Sequence, residues 1–483
     1  MKTAHVVHYI GATSKSRSVV ASLVADLIEE RFTVTIIDIS SLSTVNQDFP
    51  PAWLARVLGH HVYPQAFETE LARLGASLRP LNGPSDVGEV KAEHENSLRQ
   101  ALRSELLTYF RNSSIPAGRE AIKLEQKLSQ SMTAVYHALN TLWKEDLPDL
   151  VLIPNGRTSR QKAARVVAET HGIRLQLYEN GRATKNGYYR GTTQPHDRLA
   201  SQAEVEAVTK GLSKATNKEL AQTWLADRMS LGTGTNEFSH SWNNALSRGP
   251  QDGPKTAVFF SSSFDEFLAY GPMWNIDNWS HQFEAFDLMM TILERQGYQL
   301  ILRLHPNLIS KSRKYFHNEV KEILTLQTKH NSLTIHWHNS PVNSYDLVGQ
   351  ADLVIVERST IGLEASLMGK PVWATQASQW DQIADIRQVL SPEDITDEIM
   401  VPWKTSPLGA EKFVSYWVIQ EHALRYDWSS WSSWNPEKAP LKMKIALLAV
   451  KNSWGHRRRL MAIEWAKWRN RRFIPPPSAQ QSQ

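Results

Sequence analysis

Short apolar runs typical of β-strands alternate with helical patterns in two separate stretches of this 483-residue chain. Successive parallel strands need a crossover connection, and a helix between them supplies it. The alternation therefore predicts parallel, doubly wound sheets of the α/β class, with helices on both faces. In the first half, the predicted strands are 4–10, 32–39, 149–153 and 174–178. In the second half, they are 256–261, 298–304, 333–338, 352–356 and 371–375.

The chain is too long for one compact core, because single cores stop growing at about 250–300 residues. We therefore predict two Rossmann-like domains that face each other across a cleft. In open sheets of this kind, ligands bind beyond the carboxyl ends of the strands. The predicted parts are a first domain at 1–199 with a helical insertion at about 89–145, a connector at 200–255, a second domain at 256–404, a helical extension at 405–473 and a disordered tail at 474–483.

The composition excludes several kinds of site. The chain has no cysteine, which rules out disulfides, zinc–cysteine sites and thiol catalysis and fits a cytoplasmic location. The apolar runs fall far short of the roughly 20 residues that a membrane-spanning helix needs. The first residues predict a strand rather than an export signal, because His5 and His8 interrupt the apolar run.

We expect no metal and no cofactor. The chain contains no Asp-x-Asp sequence, which is the usual metal-binding signature of one class of sugar transferases. His336 and His338 share one face of a predicted strand, but the sequence offers them no third ligand, so a pair in the core or at the surface is the simpler interpretation.

The positive charge is concentrated near the C-terminus. The net charge is +5, yet residues 441–473 hold ten Lys or Arg against one acid, Glu464. The rest of the chain is acidic overall, which argues against a protein body that binds nucleic acid. Tryptophans interleave with these cations, as in helices that lie on an anionic membrane surface, the interpretation that we favour. The alternatives are a helix that docks its tryptophans on the protein, or nucleic acid without a recognition fold.

The densest group of candidate site residues follows the predicted strand that ends at 356. Ser359 and Thr360 stand where the next helix is predicted to begin, and hydroxyls and free N–H groups at that position could bind an anion. Glu364 lies one turn further on, where a carboxylate could accept hydrogen bonds from ribose hydroxyls. An ordinary helix cap is the alternative, because Ser and Thr are common at that position.

A second group ends the predicted strand at 298–304. Pro306 stops this strand and fixes the direction of His305, while Arg303 adds a permanent positive charge. Together these residues could hold a phosphate or neutralise a departing nucleotide. A histidine in an ordinary turn is the alternative. We expect this group to lie on the same sheet edge as Ser359 and Thr360.

The two motifs, Arg303-Leu-His-Pro-Asn307 and the run from Ser359 to Val372 (STIGLEASLMGKPV), resemble the capsule polysaccharide biosynthesis family of GT-B glycosyltransferases, which includes capsular Kdo transferases. They are similar, more loosely, to bacterial sialyltransferases. The resemblance covers about 256–375. It implies a GT-B fold and a nucleotide-sugar donor whose phosphate contacts His305, Ser359 and Thr360. It also implies a polysaccharide or glycolipid acceptor, and it matches Glu364 to the glutamate of the family's Gly-x-Glu-Ala stretch.

The sialyltransferase-like enzymes also carry an acidic pair before a glycine in the first domain. The nearest match is Tyr178-Glu-Asn-Gly181, in which Asn180 replaces the second acid. By this resemblance Glu179 would be the catalytic carboxylate, either as a base toward an acceptor hydroxyl or as a nucleophile at the anomeric carbon. A turn is the alternative, because Asn-Gly is a strong turn signal.

Two further stretches are candidates. The loop at 261–266 offers Ser261 and Ser262 for donor binding and Asp265 as an alternative catalytic acid. The segment Gln194-Pro-His-Asp-Arg198 resembles a His-Asp-Arg stretch of the same capsule family. An interdomain hinge is the alternative for that segment.

The expected function is metal-independent transfer of a sugar, with a CMP-linked acidic sugar as the first donor to test, to a growing surface polysaccharide. The enzyme would work in the cytoplasm, held on the inner face of the membrane through 441–473. A teichoic-type polyol-phosphate transferase is one alternative. A non-catalytic assembly protein that keeps the nucleotide-binding fold is another, and Asn180 in place of an acid keeps it open.

Overall fold

The structure, a computed structural model, describes most of the two predicted domains. The described residues are 2–8, 14–39, 42, 63–83, 90–110, 114–181, 183–184, 186–230, 253–263, 267–274, 279–311, 313–395, 405–426, 465 and 468–470. Within them the chain forms two sheets, and each sheet has a buried apolar cluster on both faces. The predicted α/β class is confirmed.

The first sheet contains seven strands. They are β1 Lys2–His8, β2 Phe32–Asp38, β3 Ser77–Pro80, β4 Leu150–Pro154, β5 Arg174–Asn180, β6 Gly187–Gly191 and β13 Glu421–Ala423. Their order across the sheet is β13-β6-β5-β4-β1-β2-β3. Strands β1 to β5 pair in parallel, while β6 and β13 complete one edge antiparallel. The chain changes direction across the sheet between β1 and β4, the position where doubly wound folds bind ligands.

Five described helices belong to this domain. They are α1 Ser14–Glu29, α2 Tyr63–Arg73, α3 Ala92–Phe110, α4 Arg119–Glu145 and α5 Ser159–Thr170. The predicted insertion at about 89–145 therefore contains two helices. In α4, the buried residues Met132, Val135, Leu139 and Leu142 recur at helical spacing and form one stripe that faces the core.

The second sheet is parallel throughout. Its strands are β7 Thr256–Phe260, β8 Gln299–Arg303, β9 Leu333–His336, β10 Leu353–Val356, β11 Val372–Ala374 and β12 Arg387–Gln388, in the order β12-β11-β10-β7-β8-β9. Every residue of β10 is buried and apolar, as expected for a central strand covered on both faces. The described helices between these strands are α8 Gln282–Arg295, α9 Arg313–Lys329, α10 Ser344–Gln350 and α11 Ile361–Leu367.

The segments that join and follow the domains pack together. The connector forms α6 Arg198–Thr209 and α7 Lys214–Met229, and the chain after the second domain forms α12 Leu408–Ile419. Helix α12 buries Phe413 and Val414 in the same apolar cluster as Trp224 of α7. The following strand β13 then pairs with β6 of the first sheet. This part differs from the helical, membrane-surface extension predicted over 405–473, because its apolar side chains are buried against the protein.

Among the described residues, no helix combines the length and the apolar character that crossing a membrane requires.

Candidate functional site

A cavity of about 200 Å³ opens beyond the carboxyl ends of β7, β8 and β10. It brings together six residues that the sequence nominated from three separate stretches, namely Ser261, Arg303, His305, Ser359, Thr360 and Glu364. The rest of its described lining is Arg228, Phe260, Leu304, Pro306, Val342, Asn343, Ser344, Tyr345 and Ile361. The expectation that the two motifs share one sheet edge is met in the structure.

The end of β7 holds His305 in place. The Ser261 Oγ accepts a hydrogen bond from the backbone N–H of His305 (2.9 Å), and the Ser261 N–H donates to the Arg303 carbonyl oxygen (3.1 Å). The Nδ1 atom of His305 accepts from the Asn307 N–H (3.1 Å), and Pro306 begins the short 3₁₀ turn that follows. Because Nδ1 is the acceptor, a neutral His305 carries its proton on Nε2 and can donate from that atom.

Arg303 is a buried cation held by carbonyl groups. Its guanidinium donates to the carbonyl oxygens of Trp337 and Ser340 (3.3 Å to the latter), both beyond the end of β9. Burial lowers the pKa of Arg303 to about 10, which still leaves the group charged at neutral pH. Among the described residues, no carboxylate contacts this side chain, and its Nε has no hydrogen-bond partner. A buried charge without a counter-charge is costly, which is a reason to expect an anion in the cavity.

Glu364 lies in a buried ion pair with Arg228, a residue that the sequence analysis missed. The Arg228 Nε donates to a Glu364 oxygen (2.6 Å), and its Nη2 donates to the Thr360 Oγ (3.4 Å). Burial works against the charge of Arg228, but the Glu364 carboxylate raises the pKa of this guanidinium above its ordinary value. The Arg228 guanidinium also lies over the Trp224 ring, 4.9 Å from its centre. Glu364 therefore neutralises an arginine of the connector, whereas its predicted contact with ribose stays a prediction.

The turn from β10 into α11 is shaped by a close contact at Gly362. A Cβ at this position would approach the Trp380 ring to 2.7 Å and a Val356 methyl to 2.8 Å, so a larger residue would push the helix off the strand. The Ser359 carbonyl accepts from the Gly362 N–H (3.0 Å), and the Thr360 carbonyl accepts from the Glu364 N–H (3.1 Å). The helix has only seven residues, and the N–H of its first residue, Ile361, donates to the Ser359 Oγ (3.5 Å). The hydroxyls of Ser359 and Thr360 are therefore better ligand contacts than the helix end.

Ser262 lies outside the described cavity, and nothing in the described residues tests Asp265. Ser262 is buried, and its N–H donates to the Gln282 side-chain oxygen (3.2 Å) of α8. It is not among the residues that line the cavity, because neighbouring residues of an extended chain point to opposite sides. Asp265, the alternative catalytic acid, lies outside the described residues.

Glu179 lies at the junction of the two domains. It is the next-to-last residue of β5, and its carboxylate is 3.5 Å from the Nε2 of His196. The His196 ring stacks on Tyr270 of the second domain, with 4.1 Å between ring centres, and the His196 carbonyl accepts from the Trp274 indole (2.9 Å). The described lining of the cavity does not include Glu179. Glu179 therefore lies at the junction of the two domains but not in the cavity.

The segment Gln194–Arg198 forms part of the interdomain contact. Arg198 donates to Asp381 (3.3 Å) of the second domain, and Gln202 donates to the same carboxylate (2.7 Å). Burial raises the pKa of Asp381, although the Ser378 N–H and Arg198 oppose that shift. The insertion also reaches across, since the Ser104 hydroxyl of α3 donates to the Ala269 carbonyl (2.6 Å). The first and second domains thus meet through polar contacts near Glu179.

In the part of the chain that the structure describes, no group of three His, Asp or Glu side chains is placed to hold a metal ion. His338 is one of the two histidines predicted to share a strand face. It is buried, and its Nε2 donates to the backbone carbonyl oxygen of Asn470.

Neither a family model nor a curated protein matches the sequence. Among solved structures, a KpsC β-Kdo 2,4-transferase of Thermosulfurimonas dismutans is 13% identical and has a TM-score of 0.36, over 55% of this chain and 79% of that one. The KpsC β-Kdo 2,7-transferase of the same organism is 15% identical with a TM-score of 0.33, over 58% and 80%. A UDP-GlcNAc 2-epimerase of Neisseria meningitidis, bound to UDP-GlcNAc, is 13% identical with a TM-score of 0.29, over 87% and 99%.

Two Rossmann-like sheets, a connector between them and a C-terminal strand that returns to the first sheet make up the GT-B arrangement. The chain has a GT-B fold. A fold of this kind hosts many different reactions, so the activity depends on the residues of the site.

Proposed function

We propose that the protein is a glycosyltransferase that binds a nucleotide-sugar donor in the cavity and transfers the sugar to a polysaccharide or lipid-linked saccharide. One observation carries the proposal. Arg303 is a buried cation in a cavity wall, and its described contacts are carbonyl oxygens only. A donor phosphate would supply the counter-charge that the described residues do not provide.

The groups around Arg303 suit a phosphate that becomes a leaving group. His305 can donate from Nε2, and Ser359 and Thr360 place two hydroxyls on the same cavity. When the bond to the sugar breaks, negative charge grows on the phosphate oxygens. Donors already fixed toward that charge lower the barrier, because they need no reorganisation during the reaction.

The charge of the cavity favours a donor with one phosphate. The Arg228 and Glu364 charges cancel, so Arg303 leaves one net positive charge apart from His305. A nucleoside-monophosphate sugar carries one negative charge on its phosphodiester, whereas a nucleoside-diphosphate sugar carries two. This balance fits the phosphodiester of a CMP-linked sugar. An acidic sugar of the Kdo or sialic acid type, which the sequence resemblance implies, adds a carboxylate charge that Arg303 does not balance, so the sugar type rests on the resemblance alone.

Glu179 is the proposed catalytic carboxylate on the acceptor side. It ends β5 at the carboxyl edge of the first sheet, where the two domains meet. A carboxylate there could take the proton of an acceptor hydroxyl or attack the anomeric carbon. Donor and acceptor would then approach each other across the cleft, with no metal required.

We propose that the protein acts at the inner face of the cytoplasmic membrane. Within the basic segment 441–473, the described residues include Trp465 and Trp468. Their rings stack with 5.0 Å between ring centres, and Trp465 is 56% exposed. Exposed tryptophan within a segment of ten cations suits an anionic lipid surface, to which each cation contributes about 1 kcal/mol. Most of these cations, including Lys442 and Arg457–Arg459, lie outside the described residues.

The test is a thermal-shift panel of CMP, CDP, UDP and GDP on the wild type and on His305→Ala. A ligand that binds only the folded protein raises the melting temperature by mass action. We expect CMP to give the largest shift and His305→Ala to lose it. His171→Ala is the matched control, because it removes a histidine bonded to Asn140 in the first domain and should keep the shift.

Failure would take one of two forms. A wild type that responds to no nucleotide would refute the donor site and favour the assembly-protein alternative. A nucleotide-dependent product that carries glycerol phosphate instead of a sugar would favour the teichoic-type transferase.

A further inference from the structure

Asn470 is almost completely buried although it belongs to the most basic segment of the chain. It is 1% exposed, whereas Trp465 in the same segment is 56% exposed. A polar side chain with so little contact with water is normally held by specific hydrogen bonds. Its partners lie about 160 residues earlier in the sequence, in the second domain.

The side chain of Asn470 fastens the turn that follows His305. Its Nδ2 donates to the carbonyl oxygens of Ile309 (2.9 Å) and Lys311 (3.4 Å). Its Oδ1 accepts from the Arg469 Nε (2.9 Å), and this bond orients the amide so that its N–H groups face the turn. The turn itself, Pro306–Ser310, starts directly at His305.

The backbone of Asn470 fastens a second loop of the same site. Its carbonyl oxygen accepts from the Nε2 of His338 (3.1 Å), a buried residue that packs edge-on against Phe316. The neighbours of His338 in the chain are the residues that hold Arg303, through the carbonyl oxygens of Trp337 and Ser340. Asn470 therefore connects the turn that follows His305 with the loop whose carbonyl oxygens hold Arg303.

We propose that Asn470 is a positioning residue for the donor cavity, and that the C-terminal segment is therefore needed for nucleotide binding as well as for placement on a membrane. The inference rests on the proposed function, because it takes the cavity as the nucleotide site. Without the Asn470 amide, the carbonyl oxygens of Ile309 and Lys311 lose their donor, and the 306–311 turn is no longer connected to the 337–340 loop. His305 and Arg303 would then sample other positions.

The experiment is a calorimetric titration of CMP into the full chain, carried out for the wild type, Asn470→Ala and Asn140→Ala. Asn140 is the matched control, because it also forms a bond with a histidine, His171, but in the first domain. We expect Asn470→Ala to bind CMP about tenfold more weakly, the size of effect typical of residues that act on a site from outside it. Asn140→Ala should bind CMP like the wild type.

A second measurement separates positioning from loss of folding. Hydrogen exchange of the ligand-free protein should rise in Asn470→Ala at 304–311 and 337–340 and remain unchanged in β10 and in the first sheet. His338→Phe, which keeps the contact with Phe316 but cannot donate, should reproduce the change at 337–340. This variant tests the link even if Asn470→Ala does not fold.

The outcomes distinguish the two proposals. If the wild type binds CMP and Asn470→Ala binds it equally well, the role of Asn470 is refuted while the donor site stands. If the wild type binds no nucleotide, the proposed function fails. Hydrogen-exchange protection of 304–311 that still depends on Asn470 would then show that Asn470 only stabilises this turn, and its role in nucleotide binding would be overturned. Exchange that rises uniformly over the whole chain would also contradict a local positioning role.

Discussion

The carboxyl edges of the two sheets differ in how their polar residues are satisfied. At the second sheet, the ends of β7, β8 and β10 converge on one cavity whose arginine, Arg303, has carbonyl partners only among the described residues. At the first sheet, Glu179 faces His196, and that ring is stacked on Tyr270 of the other domain. The described polar residues of the second edge thus leave one buried positive charge unbalanced, whereas Glu179 at the first edge belongs to the contact between the domains.

The same contrast separates two buried arginines. Arg190 of the first sheet donates to both oxygens of Glu30 (2.9 Å for one) and to Gln176 (2.7 Å), so its charge is balanced inside the protein. Arg303 of the second sheet has no such carboxylate in the described part of the chain. Arg190 thus has its counter-charge within the protein. Arg303 has none among the described residues, as we propose for an arginine that binds an anionic ligand.

The largest expected effect comes from exchanging these two arginines for methionine. Arg303→Met should weaken CMP binding by about 4 kcal/mol, roughly a thousandfold, because the buried phosphate would lose its cationic partner. Arg190→Met should keep CMP binding and lower the stability of the protein instead, since Glu30 loses its partner. Calorimetry with CMP and chemical unfolding of both variants check this. Equal loss of CMP binding in the two variants would contradict the distinction.

Glu364→Gln sharpens the charge argument within the cavity. Removing this carboxylate charge leaves Arg228 buried without a counter-charge, which should lower the free energy of unfolding by about 3 kcal/mol. The cavity also gains one positive charge, so the preference should move from CMP toward CDP. Urea unfolding and competition between the two nucleotides measure the two effects. An unchanged preference would remove the charge-based argument for a one-phosphate donor.

Acid should destabilise both domains through buried histidines. Burial lowers the pKa of His8 to about 3 and that of His338 to about 4, in each case with a smaller contribution from a nearby arginine. Both values lie below 6.5, so the unfolded chain binds more protons, and stability is retained above pH 6.5 and lost as the pH falls toward 4 and then 3. At pH 5 each histidine should cost about 2 kcal/mol.

Replacing either histidine by glutamine tests that slope. His8→Gln and His338→Gln should each flatten the dependence of unfolding free energy on pH between 7 and 5, and His338→Gln alone should also affect CMP binding. A slope that survives in both variants would assign the acid sensitivity to other groups.

The smallest effects distinguish two adjacent serines. Ser261→Ala removes the acceptor of the His305 N–H and should cost about 1 kcal/mol in CMP binding, about fivefold. Ser262→Ala removes a hydroxyl that has no hydrogen-bond partner in the described part of the chain, so CMP binding should not change. Titrations of both variants against the wild type decide the matter, and a larger effect of Ser262→Ala would place the wrong serine in the site.

Much of the fold follows from local patterns. The alternation of apolar runs with helices predicts both parallel sheets, because each strand and helix carries its own periodicity. It does not predict that β13 joins β6, since that pairing spans more than 230 residues and involves three exposed or half-buried residues. It also does not predict that α12 is a core helix, because its burial depends on α7, a helix of the connector that precedes the whole second domain.

The residues of the site also fall into those that local motifs predict and those that only a tertiary contact reveals. Arg303, His305, Ser359 and Thr360 stand at the carboxyl ends of β8 and β10, which flank β7 in one parallel sheet, so local motifs are enough to place them on one edge. Arg228 has no motif, and only its tertiary contact with Glu364 reveals it. The predicted turn at Asn180-Gly181 comes later than expected, because β5 continues through Asn180 and pairs with β6 before the chain turns.

A crystal structure of the protein with CMP would test the donor site most directly. We expect the CMP phosphate in the cavity at the end of β8, within hydrogen-bond distance of Arg303 and His305, with no metal between them. CMP bound elsewhere, or a phosphate that contacts neither residue, would contradict the assignment of this edge as the donor site.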